Sequence, residues 1–404
     1  MITKKRLLYR EIVKQINHKN ALIVTGMRQV GKTTLMRQVF DTLKNKKKLW
    51  FDFDNPLEQK TFEDNEYRNI YTRLIEMANA SQKDRLFIFI DEIQNYPEIT
   101  KVIKYLIDHY SVKFLLTGSS NYYLKNLFPE SLSGRKFLYY LHPLSFKEFL
   151  YFSGETQEEK EYPYSTNFNS IIKKQNIVTY KSRQLLFDNY MRFGGFPEVV
   201  VTKDIHTKKQ ILSNILTSFF EKDLKVLSDY KDIRELRDLI LLLAPRVGSM
   251  LDISKLSSEL GVDRPKIYSF LEFLQATFFI RLLPKYSQSI DRAVAGGKKV
   301  YFTDTGLLNA LTQLNQAQVL ENAVVNQFAH YGDLSFYNKR NTAEIDVVIN
   351  KKIGIEIKRT ATQKDSNRLG KISLSLDFDE YYVASENWVE DKKLSSKVMY
   401  PQFL

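Results

Sequence analysis

Gly26-Met27-Arg28-Gln29-Val30-Gly31-Lys32-Thr33, set directly behind the apolar run Ala21-Leu-Ile-Val-Thr25, is the stretch on which the fold turns. Its spacing spells a phosphate-binding loop. Successive backbone N–H groups turn inward around a β-phosphate, the lysine neutralises the β and γ oxygens, and the hydroxyl reaches Mg2+. The run before it reads as a buried strand. Thr34-Leu-Met-Arg-Gln-Val-Phe40 after it reads as a helix whose N-terminal dipole favours the anion. The expected contacts to ATP or GTP are Gly26, Met27, Arg28, Gln29, Val30, Gly31, Lys32, Thr33 and Thr34, with Thr33 also a Mg2+ ligand and Lys32 a catalytic cation.

Composition narrows the setting. A chain of 404 residues with 43% hydrophobic content has room for several domains, each with its own core. It contains no cysteine, which excludes disulfides and thiolate metal sites and fits a reducing, cytoplasmic compartment. The basic start Met1-Ile-Thr-Lys-Lys-Arg6 is not followed by a signal-length apolar core, and no run approaches membrane-spanning length. A formal net charge of +13 points to a polyanionic partner, nucleic acid or an acidic lipid surface, between which charge does not choose, or else to a well-solvated lysine-rich surface.

Downstream, Leu86-Phe-Ile-Phe-Ile90 has the pattern of a buried strand ending in Asp91-Glu92. Asp91 is expected to hold Mg2+ and Glu92 to polarise the attacking water. Ile99, Val102, Ile103, Leu106 and Ile107 recur at helical spacing, and Val112-Lys-Phe-Leu-Leu116 forms a third apolar strand running into Thr117-Gly-Ser-Ser120. This order is that of an additional-strand P-loop ATPase. In that class a hydroxyl on the neighbouring strand reaches the γ-phosphate region, which makes Ser119 the expected sensor and Thr117 the second choice.

The chain resembles AAA+-like P-loop ATPases of archaeal and bacterial type (AAA_14 type). The resemblance rests on Gly-x-Arg-x-x-Gly-Lys-Thr with Arg28, Asp-Glu-x-Gln with Gln94, Thr-Gly-Ser-Ser, Leu132-Ser-Gly-Arg135, Pro143-Leu-Ser-Phe-Lys-Glu-Phe149 and Gly194-Gly-Phe-Pro-Glu198. It implies an ATP- and Mg2+-dependent engine. It also makes Arg135 a candidate finger for a neighbouring subunit's γ-phosphate in a homo-oligomer, with a structural ion pair as the alternative. Arg192 is a weaker phosphate candidate.

Residues 151 to about 177 turn polar and read as a loop or hinge. Helical patterns through Leu185, Phe187 and Tyr190, and through Ile211, Ile215, Leu216, Phe219 and Phe220, suggest a helical lid. Leu251 to Leu274 reads as a helix-turn-helix with a Gly261 turn and Asp263 as the second cap; Ile267, Leu271 and Leu274 face inward. With strand-like Phe278–Leu283 and Val300–Phe302 it suggests a winged helix. The expected DNA contacts are Arg264, Lys266 and Ser269 on the helix and Arg292, Lys298 and Lys299 on the wing.

In Glu344-Ile-Asp346-Val-Val-Ile349 the strand period puts Asp346 beside Glu344 and opposite Ile345, Val347 and Ile349. Ile355-Glu356-Ile357-Lys358 repeats the pattern. An acid, a spacer and Glu-x-Lys form a metal-nuclease constellation: Asp346, Glu356 and, from the preceding helix, Glu321 as Mg2+ or Mn2+ ligands, with Lys358 catalytic. The segment resembles the restriction-endonuclease-like PD-(D/E)XK domain, although no proline precedes Asp346. Glu356 and Lys358 also suit an ordinary salt bridge.

The expected architecture is therefore an α/β multidomain chain. Residues 1–150 form a P-loop ATPase core with a parallel sheet, 151–245 a helical lid, 246–305 a winged helix and 306–404 a nuclease-like domain. The function this implies is an ATPase acting on DNA. The competing reading is a nucleotide-dependent signalling or defence switch whose C-terminal part binds without cutting.

Overall fold

The computed structural model describes residues 4–119, 132, 134–157, 164–224, 230–289, 296–339, 342–391 and 393–404. They divide into two compact units, residues 1–142 with 276–278, and residues 143–275 with 279–404. Apart from residues 276–278, which belong to the first unit, the segments expected as lid, winged helix and nuclease-like domain share the second.

In the first unit, strands β1 (Ala21–Thr25), β2 (Lys47–Asp52), β3 (Leu86–Asp91), β4 (Val112–Gly118) and β5 (Lys136–Tyr140) form one sheet in the order β2-β3-β4-β1-β5. Every pairing is parallel. Strand β4 lies between the loop-bearing β1 and the acid-bearing β3, so the fold is a P-loop NTPase sheet with its additional strand. Such a sheet is buried on both faces, which is why β1, β3 and β4 read as unbroken apolar runs. All their residues are buried. Strands β2 and β5 lie at the edges, mostly half-buried. Helices α1 (Leu8–Lys14), α2 (Lys32–Thr42), α3 (Tyr67–Met77) and α4 (Ile99–His109) accompany the sheet. Ile99, Val102, Ile103 and Leu106 of α4 join the core under it, as their spacing predicts.

One residue in this core breaks the apolar pattern. Lys113 of β4 is fully buried, and its ammonium donates to the carbonyls of Gln15 (3.1 Å), His18 (2.8 Å) and Asn20 (2.5 Å). These carbonyls lie where the chain leaves α1 and turns into β1. Burial, with a smaller repulsion from Arg85, pulls the lysine down to about 7.

The second unit begins with α5 (Phe146–Ser153), closed by a capping box in which Ser145 accepts from Glu148 N and the Glu148 carboxylate accepts from Ser145 N. It continues through α6 (Phe168–Lys174), α7 (Ile177–Phe193), α8 (Pro197–Val201) and α9 (Ile205–Ser218). Part of the expected polar loop is thus helical. Asn167 caps α6, and the fully buried Phe168 packs on Tyr331 and Tyr382. Helix α7 is likewise tied to the C-terminal sheet, with the Tyr180 hydroxyl donating to Glu386 O at 2.8 Å. Leu185, expected on its apolar face, is exposed.

Helices α10 (Tyr230–Leu243), α11 (Ile253–Leu260) and α12 (Arg264–Ala276) precede the antiparallel hairpin β6 (Ile280–Pro284) and β7 (Lys298–Phe302), to which Met250 adds a bridge at Lys299. Gly261 ends α11 in the left-handed region, and the Asp263 carboxylate accepts from Lys266 N at 2.9 Å. The buried Ile267, Leu271 and Leu274 take the inward face as expected. Helices α13 (Thr305–Leu311) and α14 (Gln316–Phe328) lead to a mixed sheet. Its strands are β8 (Leu334–Lys339), β9 (Ala343–Ile349), β10 (Ile353–Lys358), β11 (Glu380–Ser385) and β12 (Val398–Met399), ordered β12-β11-β10-β9-β8, with α15 (Gln363–Ser375) before β11. Strand β9 is antiparallel to both neighbours, whereas β10, β11 and β12 are parallel.

Candidate functional site

The loop 26–33 leaves β1 and closes onto α2 as its sequence predicts. Gly31 caps the helix at φ 95°, a conformation that glycine adopts without steric cost. Gly26 is required by space: a β-carbon there would overlap the carbonyl oxygen of Leu141. Lys32 lies buried over the loop, its ammonium 3.0 Å from both the Gly26 and the Met27 carbonyl oxygens. Arg6 braces the loop from outside. Its guanidinium donates to Val30 O and to His142 O, each at 2.8 Å, and the side chain is buried. Nothing in the sequence around Arg6 marks it for that task, because both acceptors are backbone atoms far along the chain.

The acids at the end of β3 meet the loop. Asp91 is buried and accepts from the Thr117 hydroxyl of the adjoining β4. Burial raises its carboxyl above the usual range; hydrogen bonds from the Thr117 and Thr33 hydroxyls oppose that shift, and the charges of Glu92 and Asp52 add to it. Thr33 of the loop and Asp91 of the third strand therefore converge on one point. A hydroxyl and a carboxylate meeting in this way form a donor set suited to Mg2+. Asp52 stands opposite Asp91 in the β2–β3 register and adds a further acid at the sheet edge. Sequence reasoning missed it together with β2, whose Lys47-Lys48 start hides a short edge strand.

Glu92 takes a left-handed backbone conformation, φ 52°, uncommon for a non-glycine residue and frequent where a side chain must be aimed. Its N–H donates to Thr117 Oγ1 at 3.2 Å. Its carboxylate accepts from the amide nitrogen of Gln94, which also donates to Ser119 Oγ at 3.1 Å. Gln94 Oε1 is buried with no hydrogen-bond partner among the described residues. Ser119 is thereby linked to Glu92 through Gln94, while Thr117 organises both acids from below.

Arg135 lies before β5, at the end of the parallel sheet opposite the loop, and pairs with Asp108 at 2.6 Å. That pair matches the structural alternative. Both partners are about one-third exposed, so it contributes little to stability.

In the second unit the residues of the expected nuclease constellation gather around β9 and β10. Glu356 is buried, accepts from Lys358 Nζ at 2.9 Å and from Arg368 of α15, and its Oε2 has no hydrogen-bond partner among the described residues. Burial and the charge of Asp346 push its carboxyl up to about 7 against the pull of Lys358 and Arg368. Asp346 Oδ2 accepts from Ile357 N at 2.7 Å. Glu321 accepts from the Tyr301 hydroxyl at 2.7 Å; burial and Asp346 raise it to about 7, while Lys299 and Tyr301 oppose. Among the described residues, no group of three or more His, Asp and Glu side chains is disposed to hold a metal ion. Asp346 lies near enough to Glu356 and Glu321 to raise both, and basic side chains share the space.

Two of the expected DNA contacts are corrected here. Lys299 is buried, with Nζ 2.7 Å from Glu344 and 3.8 Å from Glu321. Burial alone would lower it, but Glu321, Asp346 and Glu344 hold it raised. The strand alternation that exposes Lys298 turns Lys299 inward. Lys266 pairs with Asp232 at 2.6 Å and Glu235 at 2.5 Å on α10, and those hydrogen bonds raise it strongly. Arg264, Ser269 and Lys298 are exposed, although the Ser269 hydroxyl donates back to Pro265 O at 3.1 Å. Arg292 lies outside the described residues. Among those residues no helix is long and apolar enough to cross a membrane.

Comparison with known proteins follows this division. Residues 18–150 match a family model described as an AAA domain. Residues 184–318 match a domain of unknown function, DUF8612. An uncharacterized protein of Methanocaldococcus jannaschii is 28% identical over 362 residues, covering 86% of this chain and 76% of its own length. One from Haemophilus influenzae is 27% identical over 342 residues, covering 81% and 79%. Among solved structures the chain is similar to the Aeropyrum pernix ORC1 protein in complex with DNA, at 12% identity and TM-score 0.32, covering 75% of this chain and 90% of that one. It is also similar to a RuvB variant of Thermotoga maritima, at 15% identity and TM-score 0.31, covering 69% and 89%.

Proposed function

We propose that the chain is an AAA-type ATPase that hydrolyses ATP with Mg2+ and acts on DNA through the helix α12 and the hairpin β6–β7. The observation that carries the reading is the convergence of Thr33 and Thr117 on Asp91, continued through Thr117 to Glu92 and through Gln94 to Ser119. In this reading Thr33 and Asp91 hold Mg2+, which supplies neutralising charge at the phosphates. Lys32 exchanges its loop carbonyls for phosphate oxygens. Glu92 accepts a proton from the attacking water, and Ser119, through Gln94, ties that carboxylate to the γ-phosphate end of the pocket. Support for DNA comes from the net charge of +13 and from the exposed Arg264 and Lys298. In this reading the Asp346, Glu356, Glu321 and Lys358 group would cleave the same substrate only with Mg2+ or Mn2+ displacing Lys299 and Arg368, the cations that now neutralise its carboxylates.

The inward pairing of Lys266 and Lys299 favours a second reading, a nucleotide-controlled switch whose C-terminal sheet binds without cutting. One experiment separates them: ATP turnover by the full chain, with and without single-stranded, duplex and four-way-junction DNA, and Mn2+-dependent cleavage on the same substrates. The DNA-directed reading expects turnover stimulated by DNA, abolished in Lys32→Ala and greatly reduced in Glu92→Gln with ATP binding retained. It also expects cleavage lost in Asp346→Ala and Lys358→Ala. Turnover indifferent to every DNA would leave the switch.

A further inference from the structure

Where the end of α7 meets α9 and α13, the second unit holds an open cavity of about 390 Å³. Its base is apolar, supplied by the buried Phe193 and Leu212. Helix α13 packs tightly on the end of α7 because residue 306 is glycine: a β-carbon there would overlap Phe193 O. Asn309 fixes the same end, donating its amide nitrogen to Met191 O at 2.9 Å and Arg192 O at 3.0 Å. Cations gather around this frame. The exposed Arg192 sets its guanidinium 5.0 Å from the centre of the Phe193 ring, and Lys208 sets its ammonium 5.4 Å from the same ring while donating to Val199 O. Lys209 and Ser213, one turn apart on α9 and both exposed, line the cavity as well. Among the described residues no carboxylate lines it, and neither Arg192 nor Lys209 makes an ion pair. Asp304, which approaches Gly306, is buried, and its carboxylate accepts from Gly195 N at 2.7 Å and Leu307 N at 3.1 Å.

We propose that this cavity binds an organic phosphate, with Arg192 and Lys209 as the charged contacts and Ser213 as a neutral donor. Like charges brought together without an acid repel one another, and an anion entering between them is attracted by each. The chemistry selects phosphate among anions. A planar guanidinium offers two parallel donors to two phosphate oxygens, the ammonium supplies a second positive charge for a dianion, and the hydroxyl donates to a further oxygen. Leu212 and Ala310 give the apolar part of the ligand a surface, and the volume falls in the range of small-molecule sites. Every lining residue belongs to the second unit, so the proposal stands independently of nucleotide at the loop 26–33. The phosphate has two possible sources of the same chemistry, a free mononucleotide or the backbone of a nucleic acid.

The test is calorimetric titration of the full chain carrying Lys32→Ala, which silences the loop, with 5′-AMP, adenosine and a short oligothymidylate. At least one of the two phosphate-bearing probes should bind. Its Kd should rise about tenfold in Arg192→Gln and again in Lys209→Gln, and binding should vanish in Ser213→Glu, which puts a negative charge where the phosphate sits. Lys203→Gln, an exposed lysine outside the cavity, should leave it unchanged. Lys209→Gln, on a different helix, guards against a packing defect from lifting Arg192 off the Phe193 ring. Arg192-dependent binding of AMP, with adenosine at least about tenfold weaker, identifies a free nucleotide as the source; the same dependence for the oligonucleotide alone identifies a nucleic-acid backbone. Failure of both probes to bind would overturn the site, as would binding that Arg192→Gln and Lys209→Gln leave intact, adenosine matching AMP with the oligonucleotide silent, or an equal loss in Lys203→Gln.

Discussion

Gln94 spans the gap between Glu92 and Ser119, donating one amide nitrogen to both side chains, at 3.1 Å in the case of the serine. A carboxylate so held is aimed before substrate arrives, and pre-aimed groups act on the transition state more than on binding. Gln94→Ala is expected to lower kcat roughly 10- to 100-fold with KM changed less than about threefold. Ser119→Ala should follow the same pattern more weakly. Steady-state ATP turnover checks both, and a change confined to KM would count against the arrangement.

Thr117 does two things at once, donating to Asp91 and accepting from Glu92 N. Thr117→Val keeps the shape and removes both bonds, leaving a buried carboxylate short of a donor. Asp91 is already raised by burial, so losing the hydroxyl raises it further and weakens its hold on a cation. The Mg2+ concentration for half-maximal turnover should rise about tenfold, equivalent to about 1.4 kcal/mol. Thr117→Ser should restore it.

Arg264 and Lys266 lie on the same helix but should respond oppositely. Arg264 is exposed, so Arg264→Ala should weaken duplex binding and reduce the salt slope of log K by about 1. Lys266→Met should leave that slope unchanged and cost about 2 kcal/mol of stability, because Glu235 is largely buried and would lose its nearer cation, keeping Lys231 at 3.8 Å. Titrations of fluorescent duplex at several salt concentrations, with urea unfolding alongside, distinguish the two.

Lys113 predicts a pH signature. Its folded pKa of about 7 lies below the ordinary 10.5, so between those values the unfolded chain binds the proton and the folded chain does not. Stability therefore rises with pH from 7 toward 10.5, by at most about 1.4 kcal/mol per unit, and below pH 7 the burial of charge is felt in full. Lys113→Met should flatten that part of the profile. Urea unfolding of the nucleotide-binding unit at pH 7, 8 and 9 reads the slope; equal slopes in the two proteins would refute the assignment.

The fold around the candidate nucleotide site was legible where its parts are local. The loop, the acids after an apolar run and the polar end of β4 each sit within a few residues of one another, and fully buried parallel strands announce themselves as unbroken apolar runs. Edge strands do not, and β2 escaped notice with Asp52 at its tip. The direction of long cations was illegible for a different reason. Lys266 and Lys299 find their partners 20 to 45 residues away in sequence, at Asp232, Glu235, Glu321 and Glu344, so only the packed fold decides whether they face solvent or carboxylate. Arg6 belongs to the same class, since its acceptors are backbone carbonyls that carry no residue signature.

The ammonium that the hairpin lends to the carboxylates of the last sheet also limits where the polypeptide can be divided. A fragment beginning at Thr305 would keep Glu321, Glu344, Asp346 and Glu356 but forfeit Lys299 and the hydroxyl of Tyr301. Such a piece would carry surplus negative charge in its interior and fold best in acid, so the C-terminal sheet is not a detachable module and exchanging it between relatives means moving the hairpin with it.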